Sequence, residues 1–256
     1  MEKNNIKIAG SGFINGGRYG KIKIMGSASS TGDVCGEYVV INGDASFNGN
    51  LEFGYFKVNG DARIEGHLKA SEVKLNGDLT ISGSCEIDKL VVNGDFKIDG
   101  AIKCNNVTIR GDLKGKDSVY ANELNIYGRL KIDKNVEGEN IKIHGDIKCD
   151  GLLTGEKILI YPSGRSTCKE IGATNLDVLK YKSIGIWPFR ISFGNRGTLK
   201  CDLIEGDNIN LEKTTAKIIR GKNVSLLSKC EVGNIEYSDT VEISTDSTVK
   251  SSMKVI

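Results

Sequence analysis

A chain of 256 residues with a net charge of only +2 is not a concentrated basic body, which argues against a dedicated nucleic-acid binder. No apolar run approaches the length of a membrane-spanning helix. Seven cysteines with no Cys-x-x-Cys pair, and no leader-like segment before the first apolar residues, point to a reducing cytoplasm and to no disulfide framework.

The pattern begins at once. Ile6, Ile8 and Gly10 set out a motif one residue short of the rest, and from Gly26 its glycine returns every 17 residues, at Gly43, Gly60, Gly77, Gly94, Gly111, Gly128 and Gly145, without insertion or deletion. A fixed period of this size marks a solenoid in which each repeat is one coil. Apolar residues stand four and two positions before each glycine (Phe56 and Val58 before Gly60), two and four after it (Ala62 and Ile64), and in a third pair further on (Leu68 and Ala70). A spacing of two within a pair is the strand period, so both side chains point to one face. Three such pairs per coil predict an all-β, triangular parallel β-helix of about 17 residues per turn. Nothing in the stretch keeps a 3.6-residue helical period. The glycine is expected to take positive φ at a corner, where it meets little steric cost. Both prolines, Pro162 and Pro188, lie outside the regular stretch, as central strands require.

After Ile160 the pattern stumbles at Tyr161-Pro162-Ser163-Gly164 and resumes through Cys168, Ile171, Leu176 and Val178. The coils then restart at Cys201 and run through Ile204, Ile219, Val232 and Val241, with Val249, Met253 and Val255 as candidates for a last partial coil. The expected organisation is one continuous solenoid domain over 1–178 and 201–256, interrupted by an inserted apolar and basic loop or hairpin at 179–200. That insertion holds the single tryptophan. Its Ile186, Trp187, Phe189, Arg190 and Phe193 suit a membrane interface, a protein partner or a flap folded back on the solenoid.

Little in the sequence carries chemistry. His67 and His144 stand at different repeat positions with no evident partner, although hexapeptide acyltransferases share a stacked-triangle plan and use a histidine base. The column of Asp44, Asp61, Asp78, Asp95, Asp112 and Asp146, interrupted by Arg129, needs backbone N–H groups, lysines or water to offset its repulsion. The short-turn calcium signature that would make it a metal site is missing. Nothing marks the long-loop cleft of a β-helical polysaccharide lyase. Arg110-Gly111-Asp112 occupies the corner that its neighbours spell Asn-Gly-Asp, and Lys97, Lys114, Lys131 and Lys148 read as a solvated column. No catalytic residue, cofactor or metal is expected, and Cys85, Cys104 and Cys149 read as small core residues.

The Val/Ile-x-Gly-Asp corners (Val58 to Asp61, Val92 to Asp95), the regular turn length, and the later segments Asp202 to Asp207 and Ile219 to Val224 resemble the bactofilins, polymer-forming bacterial cytoskeletal proteins. The later segments look like the longer, Gram-positive branch. The resemblance covers nearly the whole chain and implies a right-handed β-helix that assembles end to end without nucleotide. It also implies a cytoplasmic scaffold whose partners are itself and envelope-associated or morphogenetic proteins, with no nucleic acid. The inner face of the cell membrane is a further candidate location. Open solenoid ends agree with assembly, because they leave strand edges and core residues uncovered. The candidate residues are Ile6, Ile8, Phe13 and Ile14 at one end, and Val249, Met253, Val255 and Ile256 at the other. The alternative reading is a non-polymerising solenoid that contacts membrane or a protein through 179–200.

Overall fold

A computed structural model describes residues 4–180 and 197–255. Among them every regular element is a β-strand, and the strands ladder in parallel into the coils of a β-solenoid, about 14 turns counted over the chain. None of the described residues forms a helix long and apolar enough to cross a membrane. The chain divides into two compact units, Met1–Asn122 and Glu123–Ile256.

In the first unit the strands are β1 (Ile6–Ala9), β2 (Gly12–Met25), β3 (Ala28–Asn42), β4 (Ala45–Asn48), β5 (Leu51–Asn59) and β6 (Ala62–Ile64). They continue as β7 (Leu68–Asn76), β8 (Leu79–Ile81), β9 (Cys85–Asn93), β10 (Phe96–Ile98) and β11 (Ile102–Gly115). Register follows the repeat: Val39 pairs with Phe56, Phe56 with Val73, and Val73 with Leu90. The first coil is one residue short, as its sequence predicts, since Ile6 pairs with Ile22 and Ile8 with Ile24. The apolar columns form the core. Ile22, Val39, Phe56, Val73, Leu90 and Val107 are all buried, as are Ile24, Ile41, Val58, Leu75, Val92 and Ile109. Bulk is shared within the coils. Ala45 and Ala62 are small where Phe47, Phe53 and Phe56 are large, and Phe47 meets Phe56 edge-on at 6.2 Å between ring centroids.

The glycine column has two causes. Gly94 lies at φ 148°, which disfavours any side chain. In addition, a Cβ there would overlap the carbonyl oxygen of Gly77 in the preceding coil. The corner backbones therefore stack in direct contact, and the sequence can place only glycine between them.

The second unit holds β13 (Val136–Tyr161), β14 (Arg165–Val178), β15 (Thr198–Glu212), β16 (Thr214–Ser228), β17 (Glu231–Ile243) and β18 (Thr248–Lys254). The unit boundary falls inside β12 (Val119–Ile132). Register shifts mark the stumble: Lys148 pairs with Thr167, but Leu153 pairs with Ile171. The Asp146 carboxylate accepts hydrogen bonds from Ser163 Oγ at 2.8 Å and Gly164 N at 2.6 Å, which stitches the widened corner. Across the inserted segment Cys168 pairs with Cys201 and Leu176 with Ile209. Thr198, Leu199 and Lys200, which the sequence pattern assigns to the insertion, belong to β15. Later corners tighten, with Lys213 at φ 48° and Lys229 at φ 50° where earlier coils use glycine.

Candidate interaction surfaces

At the N-terminal edge β1 pairs with β2 and with no other described strand. Ile6 and Ile8 are half-buried over Ile22 and Ile24, while Phe13 points outward and is 54% exposed. Ile14 is wholly buried, so it belongs to the core rather than to a contact surface. At the other edge β18 pairs with β17 alone among the described strands. Val249 stands over Val232 in an inward column. Met253 lies over Glu236, so it continues an outward column and is 56% exposed; Ser252 takes the inward place over Ile235. Val255 is 38% exposed and its N–H donates to Tyr237 O. The candidates thus belong to the two edge coils, with Ile6, Ile8 and Val249 turned inward and Phe13 and Met253 turned outward. Ile256 lies outside the described residues, and so do Ile186, Trp187, Phe189, Arg190 and Phe193 of the insertion.

Side-chain ladders run along the coils. The amide of Asn59 donates to Asn42 at 2.7 Å, Asn76 to Asn59 at 2.8 Å, and Asn93 to Asn76 at 2.9 Å. Arg110 continues the ladder by donating to Asn93 Oδ1, so Arg110-Gly111-Asp112 behaves as its Asn-Gly-Asp neighbours do. One corner on, each aspartate carboxylate accepts the backbone N–H of the next: Asp78 N to Asp61, Asp95 N to Asp78, Asp112 N to Asp95. Backbone donors answer the column's repulsion, and among the described residues no group of three or more His, Cys, Asp or Glu is disposed to hold a metal. The Lys114 and Lys148 ammonium groups lie 3.6 and 3.4 Å from Asp112 and Asp150, and Lys131 lies 3.9 Å from Asp133.

The histidines are members of ladders too. His67 Nδ1 accepts the Ser84 N–H at 3.0 Å and lies 2.8 Å from Ser84 Oγ. In the second unit the His144 ring is stacked between Tyr127 and Tyr161, at centroid distances of 5.0 and 4.9 Å. Burial, and then the nearby Lys142 ammonium, hold its pKa below the usual histidine value. The cysteines are all free thiols. Desolvation raises the pKa of Cys85, Cys149, Cys168 and Cys230, and pushes Cys104 and Cys201 up to about 12. A thiol held protonated is a poor nucleophile and a poor metal ligand. In the first unit a groove of about 310 Å³ is lined by Arg18, Cys35, Glu52, Lys69, Glu86 and Asp88 around Phe53.

No family model matches the chain. Part of it is 37% identical over 92 residues to the uncharacterized protein YhbF of Bacillus subtilis strain 168, covering 35% of this chain and 35% of that protein. A match of 32% identity over 93 residues to the uncharacterized protein YhbE of the same organism covers 36% of this chain and 38% of the relative. The chain therefore spans little more than a third of the length of either relative. No solved structure matches it.

Proposed function

We propose that the chain is a non-enzymatic scaffold that assembles through the edges of its solenoid, in the manner of the bactofilins it resembles, and positions other proteins in the cytoplasm. The observation that supports this reading is the pair of one-sided edge strands. β1 and β18 each have a ladder partner on one side only among the described strands, and apolar Phe13, Met253 and Val255 are exposed beside them. Unpaired strand edges with apolar neighbours invite a further strand, because pairing satisfies the backbone and buries the side chains together. Assembly of this type needs no nucleotide, since the ladder itself supplies the cohesion.

Negative-stain electron microscopy of the purified protein, without nucleotide, tests it. Filaments are expected, and Phe13→Glu or Val255→Glu, which place a charge at one edge, should shorten or abolish them while leaving the circular-dichroism melt unchanged. Ile6→Glu with Ile8→Glu should do the same at a greater cost in stability. A single discrete species at high concentration, or filaments indifferent to these charges, overturns the reading.

A further inference from the structure

The first unit carries fifteen cationic and fifteen acidic side chains, yet they are not evenly spread. One face is built from β1, the C-terminal part of β2 and β3, and the matching parts of β5, β7, β9 and β11. Its outward positions alternate with the buried pairs. One column is Lys7, Lys23, Val40, Lys57, Lys74, Val91 and Thr108, fixed by the ladder pairs between successive coils. The flanking columns add Lys21, Lys89 and Arg110. Seven cations therefore share this face with one acid, Glu72. Its carboxylate is already held by Lys74 at 3.0 Å and Lys89 at 3.9 Å. The remainder of the unit is left with eight cations against fourteen acids. The aspartate column stands around the corner, with its carboxylates turned to the backbone of the next coil.

The face is an open sheet surface, roughly 30 Å across its seven strands and roughly 13 Å along them. Apolar groups sit among the cations: Met25 is 48% exposed, and Tyr38, 41% exposed, stacks on Tyr55 at 4.9 Å. Six of the seven cations are lysines, flexible point charges rather than the planar forks that read phosphates in pairs. We infer that this face of the first unit docks on an anionic lipid surface. A broad flat lattice of lysines with exposed methionine and tyrosine matches a plane of negative headgroups. It offers neither a groove for a duplex nor a row of aromatic platforms for a single strand. The corresponding outward positions of the second unit supply an internal contrast. There Lys142 and Lys157 are outnumbered by Glu123, Asp177, Glu212 and Glu242, so the cationic face is a property of the first unit and not of the repeat.

Flotation of the intact protein with vesicles tests the inference. Phosphatidylcholine vesicles doped with phosphatidylserine should carry the protein at about 0.1 M salt and release it at about 0.5 M, and pure phosphatidylcholine should not carry it. Each lysine removed should lower the partition about fivefold, so the triple substitution Lys21→Gln, Lys23→Gln, Lys57→Gln should lower it more than about a hundredfold. Lys7→Gln with Lys89→Gln, at other coils of the same face, provides a second set should the first melt early. The control triple Lys97→Gln, Lys103→Gln, Lys114→Gln removes equal charge from other faces and should have little effect. The inference is overturned if anionic vesicles fail to carry the protein or if both triples behave alike. It is also overturned if Trp187→Ala with Phe189→Ala abolishes flotation while the lysine variants do not. Binding of a single-stranded oligonucleotide through the same lysines, without vesicle binding, sinks it as well.

Discussion

Ser30 occupies a column that later coils fill with Phe47, its direct ladder partner, and then Ile64, which pairs with Phe47. Its side chain is buried, and its hydroxyl has no hydrogen-bond partner. A buried hydroxyl without a partner costs about 1–3 kcal/mol relative to an apolar group of the same shape. Ser30→Ala should therefore raise stability by roughly 1 kcal/mol, read as a higher urea midpoint at unchanged slope; a lower midpoint would mean that the hydroxyl finds a partner after all. The place of Ser30 in its column is legible in the sequence, because column membership depends only on spacing. Its isolation is not, since that depends on which carbonyls the coils above and below turn toward it. The corner glycines divide the same way. Their positive φ follows from the turn, while the overlap of a Cβ on Gly94 with Gly77 O arises between coils and has no local sign. Lys213 and Lys229 escape recognition as corner residues because a lysine at positive φ leaves no compositional mark.

At the level of the strand and its ladder, one repeat position carries two different devices. In the first unit the residue before the glycine is asparagine over four coils and joins them by side-chain amides. In the second unit the same position is Tyr127, His144 and Tyr161, and the rings stack. The recurrence of Asn-Gly-Asp is plain in the sequence, where it reads as a corner only. An amide that returns once per coil in a parallel in-register ladder must face its own copy, so the amide ladder lies within reach of sequence reasoning. The ring stack is less legible, because His144 looks isolated until Tyr127 and Tyr161 are set in register. It has a pH consequence. Because the folded state holds the His144 pKa below its ordinary value of 6.5, the unfolded chain binds more protons in the window beneath that value. Stability should accordingly fall as pH drops from 7.5 to 5. In His144→Phe, which keeps a ring between the tyrosines, the loss over the same range should be smaller. Thermal melts at the two pH values compare them, and an equal loss in both proteins would remove His144 as the cause.

For the chain as a whole, the solenoid is readable because its core is one-dimensional: each coil buries its pairs only against its neighbours, so period and composition fix the packing. Charge segregation is not readable from the net value of +2, since a balanced total conceals a face with seven cations and one acid. The segment between the last two regions of repeat allows a test of the same one-dimensional logic. Arg165 pairs with Thr198 and Val178 with Leu211, so β14 and β15 keep one constant parallel register across the segment. Leu179 N bonds to Ile160 O and Thr198 N to Gly164 O, which places both flanks of the segment on the same supporting coil. Removing residues 181–196 would restore the pairing interval of the earlier coils and leave four residues linking Val178 to Leu199. That link lies between the two residues that join Leu211 to Thr214 and the five that join Ile160 to Ser166. Closing a loop to a shorter length costs little entropy in itself, on the order of 0.6 kcal/mol for each halving in the favourable direction. The shortened chain should therefore melt within a few degrees of the intact protein and retain its β-type circular dichroism. A fall of about ten degrees or more would show that the segment contributes core contacts of its own, and that the ladder between β14 and β15 is not sufficient to hold the two regions in register.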